Sequence, residues 1–111
     1  MKARFAYAIK YVADMDRAVK FHRDTLGIPL KFSSPDWSEF ATGEVTLALH
    51  AATRDKPAGF VELAYNVDDL KSVYANRDKL GLKFLSEPKP LHDALLATIA
   101  DSEGAECGIS G

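Results

Sequence analysis

The sequence predicts an α+β protein: two tandem βαβββ units forming curved mixed sheets, with a helix on the outer face of each and a concave ligand cleft. Two observations predict it. One segment recurs after about half the chain, and strand-like stretches flank each copy. Residues 12–27 read VADMDRAVKFHRDTLG and residues 67–81 read VDDLKSVYANRDKLG; each opens on Val, carries Asp two positions later and closes on Leu-Gly. Val12 and Val67 lie 55 positions apart and Gly27 and Gly81 lie 54 apart in a chain of 111 residues, so one residue is deleted from the second copy. A fixed period of this size marks a duplicated supersecondary unit. The expectation is one domain, 1–111, built of two repeats, about 1–55 and 56–111.

Each unit opens with a stretch rich in Tyr, Phe, Val and Ile, roughly 4–12 and 59–67, which reads as a strand. The repeated segment comes next as an amphipathic helix. Its packed face is Met15, Ala18, Val19 and Leu26 in the first copy and Leu70, Val73, Tyr74 and Leu80 in the second. Asp14 or Asp16 caps the first helix and Asp68 or Asp69 the second, each accepting from N–H groups that have no helical partner. Gly27 and Gly81 end them. Further strands are expected at about 29–33, 37–42 and 44–51, then at 82–86, 94–100 and 105–110. Pro88 and Pro90 mark a break, Ser102-Glu103-Gly104 a turn, and Ala52–Gly59 a polar linker.

Composition excludes several classes. Lys and Arg number 14 against 16 Asp and Glu, so no strong field gathers phosphates or acidic lipid, and neither nucleic acid nor a membrane is expected as partner. No apolar run approaches the roughly 20 residues that span a bilayer. Lys10 and Asp14 interrupt any signal-like stretch. Cys107 is the single cysteine, which rules out an intrachain disulfide and fits a reducing, cytoplasmic setting.

Four segments then carry a resemblance: FAYAIKYVADMDRAVKFHRDTLG, WSEFATGEVTLALH, GFVELAYNVDDL and ADSEGAECGI. In this order they resemble the vicinal-oxygen-chelate superfamily of glyoxalases, bleomycin-resistance proteins and extradiol dioxygenases. Asp101 and Gly104 keep the ends of the family's terminal hairpin, while Ser102 and Glu103 replace its central Pro and Asp. The resemblance implies a cleft in which four strand positions supply His or Glu to a divalent metal. Those positions fall here on Tyr7, Ala48, Glu62 and Gly108. Only Glu62 is a competent donor, and one carboxylate does not hold a catalytic metal. A shifted set of His50, Glu62 and Glu106 is the metal-binding alternative.

Glu62 lies in an apolar strand, where a carboxylate is costly unless paired or wet. It is the leading candidate for a general base or an acceptor of a cationic ligand, with an exposed, solvated carboxylate as the plainer alternative. His50, at a strand end, is the second catalytic candidate. Tyr7, Tyr11, Trp37 and Phe60 are candidates to stack a flat ligand, and His92 to border the cleft; core packing or a plain surface loop is the alternative for each. His22 and Cys107 read as packing residues.

The reading is a metal-independent, small-molecule-binding protein, expected to be a homodimer without a cofactor, that sequesters an antibiotic or other organic ligand. The alternatives are a metal-dependent lyase, isomerase or dioxygenase of the glyoxalase type, and a non-catalytic partner-binding module.

Overall fold

The computed structural model describes residues 1–111. The chain is α+β and divides into two compact units, Tyr7–Glu62 and Met1–Ala6 with Leu63–Gly111.

The Tyr7–Glu62 unit holds β1 (Arg4–Val12) from Tyr7 onward, α1 (Met15–Lys20), β2 (Leu30–Ser33), β3 (Trp37–Phe40) and β4 (Thr46–Ala51). β1 runs parallel to β4, from Tyr7 opposite Thr46 to Val12 opposite Ala51. β3 is antiparallel to β4 and β2 to β3, giving the order β2-β3-β4-β1. Parallel neighbours need a crossover, which α1 and the strands after it supply. Val19, Phe40 and Leu49 form the core, with Val12, Met15, Ala18, Ile28, Leu30 and Leu47 packed around them. Asp14, not Asp16, caps α1, its carboxylate accepting from Arg17 N at 3.0 Å.

One expected core residue is displaced. Leu26 is 53% exposed, because α1 runs on into a π-helical turn at Phe21–Thr25. The extra residue of a π turn rotates the side chains after it by most of a helical step. His22 is buried in its place, its ring 5.4 Å from Phe40 and its Nδ1 2.7 Å from Ala18 O.

The other unit holds β5 (Val61–Asn66) from Leu63 onward, α2 (Leu70–Ala75), α3 (Arg77–Leu80), β6 (Lys83–Phe84), β7 (Lys89–Leu91), β8 (Ala94–Ala100) and β9 (Glu106–Ser110). β5 is parallel to β9, β9 antiparallel to β8, and β8 antiparallel to both β6 and β7. Val67, Leu70, Val73, Ala97, Ile99, Cys107 and Ile109 are its core. Asp69, not Asp68, caps α2 through Ser72 N at 3.1 Å. Asp101 closes the β8–β9 hairpin, its carboxylate accepting from Glu103 N at 2.8 Å and Ala105 N at 2.9 Å.

Two expectations change in this unit. The single helix breaks at Asn76, so Leu80 is 38% exposed instead of packed. The proline-bearing segment is not merely a break: Lys89–Leu91 pairs with β8, Pro90 opposite Leu95. Proline is tolerated there because an edge strand leaves one side without ladder partners, so no N–H is missed. No helix is long and apolar enough to cross a membrane.

Candidate functional site

Alternation along the strands sorts the Tyr7–Glu62 unit into two faces. Phe40, Leu47 and Leu49 pack toward α1. Tyr7, Ile9 and Tyr11 of β1 stand level with Thr46, Ala48 and His50 of β4, and Trp37 and Glu39 of β3 oppose His50 and Ala48. These residues form the helix-free face.

The face carries a succession of rings. Tyr7 and Trp37 lie 6.0 Å apart at 64°, Trp37 and His50 6.0 Å apart at 86°, His50 and Tyr11 4.7 Å apart at 34°, and Tyr11 and Phe60 5.7 Å apart at 53°. Offset and edge-on pairs at such distances are mutually attractive and hold one another in place. Tyr7, Trp37, His50 and Phe60 are half-buried; Tyr11 is buried.

Local backbone bonds explain why each ring stands where it does. In the turn Ser33-Ser34-Pro35-Asp36, the Ser34 hydroxyl donates to Trp37 O at 2.6 Å and accepts from Trp37 N at 3.2 Å, which fixes the start of β3. The linker returns beside β1: Tyr11 N donates to Phe60 O and Gly59 N to Tyr11 O, both at 2.8 Å. His50 Nδ1 lies 2.7 Å from Ala51 O. A carbonyl only accepts, so Nδ1 carries the proton and Nε2 is the acceptor of the neutral ring.

Charge is balanced in pairs on this face. Glu62 is buried, and Lys56 Nζ donates to its Oε1 at 2.6 Å. A turn presents the lysine: Thr53 N donates to Lys56 O at 2.9 Å and Lys56 N to Thr53 Oγ1 at 3.0 Å. The ammonium lies 5.4 Å from the Tyr11 ring centroid. Burial pulls the Lys56 pKa down, but the hydrogen bond to Glu62 and the charge of that carboxylate, with Tyr11 adding to both, outweigh it and hold the pKa above the ordinary lysine value. Glu39 Oε2 accepts from Trp37 Nε1 at 2.8 Å, and Lys31 Nζ lies 4.0 Å from its other oxygen. Burial, and then the charge of Glu39, raise the Tyr7 pKa.

Glu62, His50, Tyr7, Tyr11, Trp37 and Phe60 thus belong to one unit and share these contacts. His92 belongs to the other, exposed on the turn between β7 and β8 with a φ of 54°. Glu106 is half-buried on β9, opposite Ala100. Sequence reasoning missed Lys56 and Glu39. Glu39 was within reach, since it stands two residues from Trp37 on the same strand face; Lys56, in a polar linker, gave no signal.

No group of three or more His, Cys, Asp or Glu side chains is placed to hold a metal ion. Tyr7 offers a phenol held neutral well above pH 7, while Ala48 and Gly108 are buried without donor atoms. Glu62 is engaged by Lys56. In the shifted set, His50 keeps Nε2 as an acceptor, but Glu62 is already paired with Lys56 and no group of three His, Cys, Asp or Glu forms. As placed, these residues do not make a donor set for a divalent metal.

Fold and site together define a vicinal-oxygen-chelate-type protein. Residues 4–107 match the family model of the Glyoxalase/Bleomycin resistance protein/Dioxygenase superfamily, and the chain belongs to that superfamily. No match was found among curated proteins. Among solved structures, a hypothetical protein from Bacillus halodurans C-125 has a TM-score of 0.78 at 14% identity, covering 99% of this chain and 94% of its own. Methylmalonyl-CoA epimerase from Mycobacterium tuberculosis has a TM-score of 0.77 at 19% identity, covering 96% and 85%. A structure described as NAD-dependent benzaldehyde dehydrogenase from Legionella pneumophila has a TM-score of 0.74 at 17% identity, covering 94% and 96%. The activities named differ while the fold is shared, so the likeness carries the fold and not a reaction.

Proposed function

We propose that the protein binds a small organic ligand on the helix-free face of its Tyr7–Glu62 unit and does so without a metal. One observation carries the reading. Glu62, the single competent donor among the four positions where the superfamily places metal ligands, is buried and committed to Lys56 at 2.6 Å. A carboxylate neutralised by an ammonium has little left to offer a divalent ion. What the face does offer is aromatic surface: Tyr7, Trp37 and His50 are half-buried, with one edge still open to a flat ligand. Sequestration of an antibiotic is one form such binding takes, and a homodimer remains part of the reading.

The test uses the fluorescence of Trp37, the only tryptophan. Flat organic compounds are titrated into the protein with and without a chelator, and elemental analysis is run on protein purified without added metal. Quenching that the chelator leaves unchanged and that Tyr7→Ala or His50→Ala weakens is expected. Stoichiometric metal in the native chain that is lost in Glu62→Ala would overturn the reading.

A further inference from the structure

We propose that Lys56 is a tethered cation seated in an ammonium pocket, built from the Glu62 carboxylate and the Tyr11 side chain, which takes ammonium or a small primary amine when the tether is cut. The proposal rests on the metal-independent reading of this face and extends it by naming the ion chemistry that replaces a metal.

The argument starts from Glu62, whose side chain is only 6% exposed. A carboxylate so placed needs a positive partner, because its desolvation is otherwise uncompensated. The partner comes from the chain itself. The turn at 53–56 and the bonds of Gly59 and Phe60 to Tyr11 hold the linker against β1, so the lysine stem starts from a fixed point.

The chemistry of the pocket selects the ion. It presents one carboxylate oxygen at 2.6 Å and the side chain of Tyr11, which hydrogen-bonds Lys56 and whose ring centroid is 5.4 Å from the nitrogen. An ammonium suits both, as a compact charge that donates several N–H bonds to oxygen acceptors and is attracted to an aromatic ring. Divalent metals require several lone-pair donors in a defined geometry, which one carboxylate and one neutral phenol do not supply. Sodium gains nothing from the hydrogen-bonding geometry, and a quaternary ammonium cannot donate to Glu62 at all. The side chain of Lys56 keeps 21% of its exposure, so the seat opens to solvent and a diffusible amine can reach it.

The experiment is chemical rescue of Lys56→Ala, read as Tm at constant ionic strength in the chlorides of sodium, ammonium, methylammonium, tetramethylammonium and manganese. The variant is expected to lose at least about 4 °C in sodium chloride. Ammonium and methylammonium should restore part of that loss in a saturable way, as mass action requires of a ligand bound only by the folded state. Tetramethylammonium and manganese should not. Native protein should be equally stable in all five, and Lys56→Ala combined with Glu62→Gln should show no rescue.

Rescue by manganese or tetramethylammonium as strong as by methylammonium would overturn the proposal, as would no rescue by any amine. If Lys56→Ala does not fold in sodium chloride, the same series is read as the folded fraction recovered on refolding in each salt, with the same outcomes deciding. Failure here leaves ligand quenching of Trp37 intact, and failure of that quenching leaves the rescue series intact, so the two readings fall separately.

Discussion

The indole Nε1 of Trp37 donates to Oε2 of Glu39 at 2.8 Å, across one intervening residue of the same strand. The bond orients the ring that stands between Tyr7 and His50. Glu39→Gln keeps an acceptor at this place and should leave stability nearly unchanged. Glu39→Leu leaves the indole N–H without its partner and should cost about 1 kcal/mol. Urea denaturation followed by tryptophan emission measures both, and equal midpoints for the two variants would contradict the assignment.

Breaking the Lys56–Glu62 pair from one side should be worse than replacing both partners. Lys56→Met leaves a buried carboxylate uncompensated. A fully buried pair loses about 3–5 kcal/mol in that way; the partial exposure of Lys56 brings the expectation to about 2 kcal/mol. Combining Lys56→Met with Glu62→Leu should recover most of the loss, since strand β5 is otherwise apolar around that position. A denaturant double-mutant cycle reads the coupling directly.

Alkaline pH should reveal Tyr7. Its phenol ionises above the ordinary 10.0, because burial and then Glu39 disfavour the phenolate. The folded-state pKa is therefore raised above the unfolded one. The stabilisation is fully present below about pH 10 and is lost as pH rises through the folded pKa. In a series of urea melts across that window, native protein should lose stability more steeply than Tyr7→Phe. Parallel curves would show that Tyr7 is not the group responsible.

His92 holds a φ of 54° between β7 and β8. That left-handed conformation is costly for a residue with a Cβ and open to glycine, whose larger loss of chain freedom offsets part of the gain. His92→Gly should raise stability by about 0.5 kcal/mol. Urea melts of native protein and His92→Gly check this, and a lower midpoint in the variant would contradict it.

Much of this architecture was legible because its signals are local. Ala94–Ala100 forms the strand its apolar run predicts, and Asp14 and Asp69 cap helices at equivalent places in the two copies. Leu26 and Leu80 departed from expectation because a π turn and a break at Asn76 shift helical register; the copies differ by one residue in length, but that difference does not say where the register changes. Lys89–Leu91 was hidden by Pro90, whose cost depends on whether a strand lies at an edge, and that is a property of the sheet.

The sequence alone determined the duplication, the α+β class and the absence of donor atoms at Ala48 and Gly108. Only the tertiary structure decided what Glu62 does. An isolated carboxylate in an apolar strand is equally compatible with a base, a ligand to a metal or a solvated surface group. Which one applies depends on the nearest positive charge and on how much water remains. Here that charge is Lys56, carried to 2.6 Å by a turn that bonds to itself at Thr53 and by a linker that bonds to Tyr11. Pairing of this kind arises from the path of the backbone, and no periodicity in the chain encodes it.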